Sequence, residues 1–469
     1  MNRPYLRAMA LSGILALTAC QGGSMGGNAV PQGPGSMQQP AAQQPAELPG
    51  GPPLAAQEAA SPESASVGHD ASFAGDGEIP MTTANAVHRV CAQATRPGEK
   101  QCFALERLDL RSNNLSPNAT HQGYGPADLQ SAYKVSGGKS SLVAIVDAFG
   151  YPNASSDLAA YRSYYKLPAC TTGSGCLKVR NQTGGTNPPP SNTGWDAEQA
   201  LDLDMVSATC PTCKILLVQA SSASGNDLYT AVSEAAKLGA VVISNSYGGS
   251  ETRGCGGPGE PSDPAFSASG HIYVASSGDS GGGLANCGGP QQPCSLSTVV
   301  CAGGTHLVRA HNARGWKESV WNELSSNACG SGGCGAAGSG CSIIVKKPSW
   351  QTDSGCKMRS ESDVSAEASV LTPVAVYFSG YGGWTAFGGT SVSAPLISGI
   401  FGRAANGHSG NGPQNVWSHR SQLFDQTVGS NLYAPLSGNC ASSVQYICYA
   451  AKGYDGPTGL GTPNGLGAF

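Results

Sequence analysis

From Ser141 to Cys301, short apolar runs alternate with segments of helical spacing, and this alternation restricts the fold more than any other feature of the chain. Ser141-Leu-Val-Ala-Ile-Val-Asp147, Lys214-Ile-Leu-Leu-Val218, Val241-Val-Ile-Ser244, His271-Ile-Tyr-Val-Ala275 and Thr298-Val-Val-Cys301 are nearly continuous in apolar residues. Runs of that kind predict strands buried on both faces. The intervening segments 155–165, 195–207 and 226–238 have helical periodicity, and the last aligns Leu228, Val232, Ala235 and Ala236. A short helix is predicted over 127–133. The expected class is therefore α/β: a parallel sheet with helices on both faces. Sites in such sheets form at the carboxyl ends of strands. Asp147, Ser246 and Asp279 each fall at or just past one.

Phe387-Gly-Gly-Thr-Ser-Val-Ser-Ala-Pro395 supplies a nucleophile candidate. A tight Gly-Gly-Thr turn presents Ser391, and the small-residue apolar run behind it predicts a helix whose N-terminus faces the reacting group. The usual base for such a serine is a histidine in a His-Gly-Thr setting. The eight histidines are His69, His88, His121, His271, His306, His311, His408 and His419, and none precedes Gly-Thr. Another group must take the serine proton. His271 and His306 are read as structural.

Two acidic pieces fit that need. In Trp195-Asp-Ala-Glu-Gln-Ala-Leu-Asp-Leu-Asp204, Glu198 and Asp202 stand four apart and share one helix face. Like charges at that spacing repel unless they bind a cation or share a proton; a solvated acidic face is the plain alternative. Asp196 and Asp204 point off that face and are expected to be solvated. In Val274-Ala-Ser-Ser-Gly-Asp-Ser-Gly281 the strand end is followed by a turn that holds Asp279 at the sheet's carboxyl edge. Glu361, Asp363 and Glu367 are expected in a loop or helix start.

The ends of the chain carry a different message. Arg3 and Arg7, an apolar run from Ala8 to Ala19, and Leu17-Thr-Ala-Cys20 read as an export signal over residues 1–20. The last four residues resemble a bacterial lipobox, which implies lipid modification of Cys20 and a membrane anchor. Seventeen cysteines are an odd number, and setting Cys20 aside leaves an even set that can pair in an oxidising compartment. Local staples are expected among Cys91/Cys102, Cys170/Cys176, Cys210/Cys213, Cys287/Cys294 and Cys440/Cys448, while the connectivity of the Cys301 to Cys356 group stays open. Residues 21–80 are rich in Gly, Pro, Gln, Ala and Ser and cannot bury enough apolar surface to order themselves. They read as a tether, spanning roughly 40–45 Å if sixty residues behave as a flexible coil. Charged residues make up only 12% and the net charge is −4, which excludes the basic clusters of a nucleic-acid binder.

Taken together, Glu198-Gln-Ala-Leu-Asp202, Ser276-Ser-Gly-Asp279 and Gly388-Gly-Thr-Ser-Val-Ser-Ala-Pro395 resemble the sedolisins, serine-carboxyl peptidases related to subtilisin. Tyr124-Gly-Pro-Ala-Asp-Leu, Ile243-Ser-Asn-Ser-Tyr-Gly248 and Gly453-Tyr-Asp-Gly-Pro-Thr-Gly-Leu-Gly461 strengthen the likeness, which covers residues 121–469. The resemblance implies a subtilisin-like sheet, protein or peptide substrates, a monomer, and roles for each residue. Ser391 would be the nucleophile and Glu198 its general base. Asp202 would orient Glu198 and share its proton. Asp279 would stand in the oxyanion hole beside the Ser391 N–H. Asp147 would be an auxiliary acid, or a strand-end carboxylate that caps N–H groups. A neutral Asp279 and a carboxylate base both require acid, so the optimum is expected at about pH 3–5. The resemblance also implies one calcium, held by the Asp425 and Asp455 side chains and the carbonyls of Gln426, Ala451 and Gly453.

One departure stands out. Sedolisins usually carry a large folded pro-domain, whereas fewer than about 50 residues able to fold precede the peptidase domain here. Residues 81–120 read as a short remnant of such a segment. Two other readings remain: a subtilisin-type enzyme using Asp147, an unidentified histidine and Ser391, and an inactive envelope protein that binds peptides.

Overall fold

The computed structural model describes residues 77–469, apart from 82–85, 252–256, 258, 261, 283–288, 325–333, 405–410 and 433–441. Residues 1–20 with Cys20, most of the 21–80 stretch, Cys287 and Cys440 lie outside the described residues. Among the described residues, no helix is long and apolar enough to cross a membrane.

The apolar runs form the centre of a sheet whose order across is Trp316–Val320, Val299–Arg309, Ile272–Ser276, Val242–Asn245, Leu142–Ala148, Lys214–Ala220 and Leu177–Asn181. Val364–Glu367 pairs in parallel with Val299–Arg309 beyond the segment used by Ile272–Ser276. All these pairings are parallel except that of Trp316–Val320, which closes one edge antiparallel. The helices are α1 (Pro126–Ala132), α2 (Ala154–Tyr164), α3 (Thr193–Thr209), α4 (Gly225–Lys237), α5 (Thr390–Ala404) and α6 (Gly412–Ser418). The two-residue period of Leu142–Ala148 divides the core. Val143 and Ile145 pack with α3 and α5, whereas Ala144, Val146 and Ala148 pack with Leu228, Val232 and Ala235 of α4. Helices therefore cover both faces, as expected.

α3 is buried along its whole run from Trp195 to Thr209 because sheet and α5 sandwich it. The Asn192 side chain caps its start by accepting the Trp195 N–H at 3.3 Å. This burial corrects the expectation for Asp196 and Asp204. Asp196 accepts the Ser191 hydroxyl at 2.6 Å, and Asp204 accepts the Tyr377 N–H at 3.0 Å. Tertiary packing surrounds the helix on every side, so no face of it is left to water. Glu361, Asp363 and Glu367 are also fully buried, and Glu367 ends a strand rather than starting a helix.

The residues ahead of the main sheet join two smaller sheets. Val87–Arg89 pairs antiparallel with Leu105–Arg107, which joins Gly383–Gly388 and then Val374–Phe378. Gln101–Cys102 pairs antiparallel with Tyr247–Ser250. Disulfides close Cys91–Cys102, Cys170–Cys176, Cys210–Cys213 and Cys341–Cys356. Cys294 bonds Cys301, which corrects the Cys287/Cys294 pairing. The turn after Gln291–Gln292 brings Cys294 back onto the strand that holds Cys301, with Cα atoms 4.7 Å apart.

Candidate active site

Three strand ends, α3 and α5 converge on Ser391. Ser391 is the second residue of α5 and is fully buried. The turn before it needs glycine: Gly389 has φ +93°, and a Cβ there would lie 1.9 Å from the Phe103 carbonyl oxygen and 2.8 Å from Asp279 Oδ2. The Ser391 hydroxyl accepts the Phe103 N–H at 3.0 Å and donates to the Ser246 carbonyl at 3.1 Å.

Glu198 projects from α3 toward this hydroxyl and is fully buried. Burial first, then repulsion from Asp202, holds its carboxyl well above the ordinary range. The Ser391 hydroxyl and the Ala104 N–H lie near enough to pull the other way, yet neither is aligned as a hydrogen bond, and both Glu198 oxygens lack one. The Ser391 hydroxyl would have to turn from the Ser246 carbonyl to donate to Glu198, a loose geometry common in sites before substrate is engaged.

Asp202 stands one helical turn on. Both its oxygens accept the Ser246 hydroxyl, at 2.8 and 2.9 Å, and burial raises its pKa strongly. Asp147, at the end of the central strand Leu142–Ala148, completes the cluster. Neither of its buried oxygens has a hydrogen-bond partner. Burial, then Asp202 and Glu198, push its carboxyl well up. Three carboxyls thus meet where burial and mutual repulsion both favour protons shared among them.

Asp279 approaches from the other side. Its Oδ1 accepts the Thr390 N–H at 2.9 Å and the Thr390 hydroxyl at 2.8 Å, leaving Oδ2 buried and unpartnered beside Gly389. Burial raises its pKa to about 6, against the opposing pull of Arg89 and Thr390. A proton on Oδ2 would point a donor at the space where the Phe103 carbonyl lies.

The sequence reading therefore brings Ser391, Glu198, Asp202, Asp279 and Asp147 to one place. It missed Ser246 as the partner of Asp202, Thr390 as the clamp on Asp279, and the crossing of the cleft by residues 101–104. The motif Ile243-Ser-Asn-Ser-Tyr-Gly248 held a clue to the first, since Ser246 follows a predicted strand that ends at the same sheet edge.

The expected metal ligands gather in the C-terminal loops. Asp455 is fully buried and accepts N–H groups from Ala451 at 3.1 Å and Thr458 at 2.8 Å. The exposed Asp425 accepts the Gly453 N–H at 2.9 Å. Burial, with Asp425 adding to it, raises the Asp455 pKa to about 7. A buried carboxyl beside a second one, both on oxygen-rich loops, is the donor set a hard divalent cation would fit. Gln426 instead turns its side chain to the Phe424 carbonyl and the Thr462 hydroxyl, leaving only its own carbonyl as a donor.

Comparison with known proteins agrees with this geometry. The family profile described as Subtilase family matches residues 184–424. Kumamolisin from Bacillus sp. (strain MN-32) is 29% identical over 427 residues, covering 84% of this chain and 72% of kumamolisin. Sedolisin from Pseudomonas sp. (strain 101) is 27% identical over 374 residues, covering 73% of this chain and 60% of sedolisin. The solved structure of Pseudomonas sedolisin, a serine-carboxyl proteinase complexed with two molecules of pseudo-iodotyrostatin, superposes with a TM-score of 0.59 at 27% identity, covering 74% of this chain and 96% of that one. By profile, by relatives and by fold, the chain belongs to the subtilase family and, within it, to the sedolisin group of serine peptidases.

Proposed function

We propose that this chain is an exported acid endopeptidase that cuts peptide bonds through Ser391, Glu198 and Asp202, with Asp279 in the oxyanion hole. The observation that carries the reading is the cluster of buried carboxyls beside a serine hydroxyl, with no cation among the described residues to neutralise Glu198 or Asp202. Ser391 attacks the substrate carbonyl carbon while Glu198 takes its proton. Asp202 spreads the charge on Glu198, and the Ser246 hydroxyl fixes Asp202. Asp147 extends the set as a further proton holder. Asp279, protonated, donates to the oxyanion together with the Ser391 N–H. Glu198 then passes its proton to the leaving amine, and water releases the acyl-enzyme by the reverse path.

Both proton requirements favour low pH. Glu198 must be ionised to act as base, so some deprotonation is needed, while Asp279 must keep its proton below about 6. The expected profile is a bell on the acid side. A pH profile on denatured protein, with Ser391→Ala and Glu198→Gln beside it, tests the reading; full activity at pH 8, or an active Glu198→Gln variant, overturns it.

Two further parts of the proposal concern setting. Lipid at Cys20 would hold the domain to an envelope membrane, the outer one in a two-membrane cell, with residues 21–80 as tether and 81–120 as a pro-segment remnant. Loss of labelled fatty acid in Cys20→Ser tests the anchor. Calcium, when bound, would contribute charge neutralisation and loop rigidity at Asp425 and Asp455, with carbonyls of Gln426, Ala451 and Gly453 completing the ligands.

A further inference from the structure

The chain carries its own peptide across the cleft, and its register identifies two subsites. Residues 98–104 run between two walls, with strand pairing at Gln101–Cys102 and a bridge at Glu99. On one side Gly225 N–H donates to the Gly98 carbonyl at 2.7 Å and Lys100 N–H donates to the Ala223 carbonyl at 2.9 Å. On the other side Gln101 and Cys102 pair with Gly248 and Tyr247. The strand reaches Ser391 at Phe103. The Phe103 N–H meets the hydroxyl, its carbonyl oxygen lies against Gly389 near Asp279 Oδ2, and the next N–H, that of Ala104, faces Glu198. The Cys91 and Cys102 sulfurs lie within 4.8 Å of a Glu198 carboxylate oxygen, which places the strand directly over the base. This register sets the Phe103–Ala104 bond beside Ser391 and Glu198.

The side chains on either side of that bond meet built walls. The Phe103 ring is 2% exposed and slots between two glycines. A Cβ on Gly248 would come within 2.8 Å of its edge, and one on Gly278 within 3.6 Å. Any side chain at Gly248 would fill the slot. Three residues earlier, the Lys100 side chain is 6% exposed and turns inward beside Gly249, where a Cβ would lie 3.3 Å from Nζ. Its ammonium sits 5.7 Å from the centre of the Tyr229 ring. Asp263 and Glu251 are the charges that favour its protonated form there, against burial, which lowers its pKa to about 8. Glu251 is fixed as a carboxylate acceptor by the Ser295 and Ser342 hydroxyls and the Ile343 N–H. The stem lines a cavity of about 540 Å³ walled by Arg96, Glu99, Ser224, Tyr229 and Asp263.

We infer that the cleft selects peptides with an aromatic residue just before the cut bond and a lysine or arginine three residues earlier, and that Lys100 to Phe103 is the internal template for this selection. The inference rests on Ser391 being the nucleophile and deepens that reading by naming the substrate class. The step on the internal template balances as ordinary hydrolysis. Ser391 Oγ bonds to the Phe103 carbonyl carbon, and Glu198 takes the hydroxyl proton. The bond to Ala104 nitrogen breaks as that nitrogen takes the proton, and water converts the ester to the Phe103 carboxylate and free Ser391.

The test uses the full chain at its acid optimum, with N-terminal sequencing of its products and a series of quenched peptides. The parent peptide is Lys-Gln-Ser-Phe-Ala-Leu, with Glu or Ala in place of Lys and Gly in place of Phe. The expected result is a new N-terminus at Ala104 and a kcat/KM that falls at least about tenfold for Glu against Lys, since a like charge meets the acidic wall. Asp263→Lys should narrow or reverse that Lys-over-Glu preference, and Gly248→Val should shift the preference from Phe toward small residues. Ser391→Ala should abolish every cut. Peptides cut equally whatever stands at the lysine position, or unchanged selectivity in Asp263→Lys and Gly248→Val, would overturn the subsite inference while leaving the serine mechanism standing. A wild-type protein that cuts no peptide at any pH would sink the mechanism instead.

Discussion

Buried carboxylates occur in two settings in this molecule, and they are treated in opposite ways. Away from the cleft, some receive a cation, and others, such as Glu367, are held by several N–H and hydroxyl donors. Glu106 is gripped by Arg111 through two bonds of 2.6 Å, Glu318 by Arg314 at 2.6 Å, and Asp363 by Arg359 at 2.6 Å with both partners fully buried. Beside Ser391, Glu198, Asp202 and Asp147 have no cation among the described residues, and only the Ser391 and Ser246 hydroxyls and the Ala104 N–H favour their charge. Burying an unpaired charge is expensive, so such groups keep protons instead. The difference teaches that burial alone does not mark the site. What marks it is burial without compensation, which is tolerable where a proton has to come and go.

Removing groups from each setting should give opposite signatures. The largest effect is expected for Ser391→Ala and Glu198→Gln, which should lower kcat by about 10⁴-fold or more while leaving the unfolding midpoint unchanged or higher. A Glu198→Gln variant that is both active and unstable would erase the contrast. Asp279→Ala should cost about 10²–10³ in kcat. Asp279→Asn keeps a donor at every pH, so the limb of the profile near 6 should flatten in that variant; steady-state kinetics from pH 3 to 8 reads both.

Arg359→Met is the converse case. It strands Asp363, which also accepts the Cys301 N–H and the Trp417 indole N–H, and should cost about 3–5 kcal/mol in denaturant unfolding with kcat retained. A smaller effect follows from Asp279 itself. Its folded pKa of about 6 lies above the ordinary 3.8, so the folded state binds its proton more tightly than the unfolded one. Its contribution to stability is complete below about 3.8 and disappears as pH rises through about 6. Melting temperature should therefore fall from pH 4 to pH 7, and less so in Asp279→Asn. The smallest effect concerns the C-terminal loops. A chelator should lower the melting temperature of wild type but not of Asp425→Ala, and identical curves for the two would remove calcium from the account.

The sheet and its helices were legible because their signals are local. Uniform apolar runs and the spacing of Leu228, Val232 and Ala235 do not depend on distant residues. The spacing of Glu198 and Asp202 puts them one turn apart on α3, but by itself it fits a solvated acidic face, and their proposed roles came from the resemblance to the sedolisins. What escaped depends on remote pairing. Phe103 meets Ser391 across 288 residues, and Ser246 meets Asp202 across 44. The burial of Asp204 escaped as well, because Tyr377, which satisfies it, lies in a strand 173 residues away. The hairpin of Val374–Phe378 and Gly383–Gly388, which receives Leu105–Arg107, is antiparallel and does not follow from the alternation that predicts a parallel sheet.

The strand pairing of residues 87–107 has a kinetic consequence. If the Phe103–Ala104 bond opens, the upstream piece keeps its ladder with Tyr247–Ser250 and the pairing of Val87–Arg89 with Leu105–Arg107. Nothing in the cut itself ejects it. The enzyme's first product would then be its first competitive inhibitor, retained by strand pairing rather than by a covalent tether. Turnover of added protein should begin with a lag that shortens on dilution into fresh substrate, because departure of that strand, not chemistry, opens the groove.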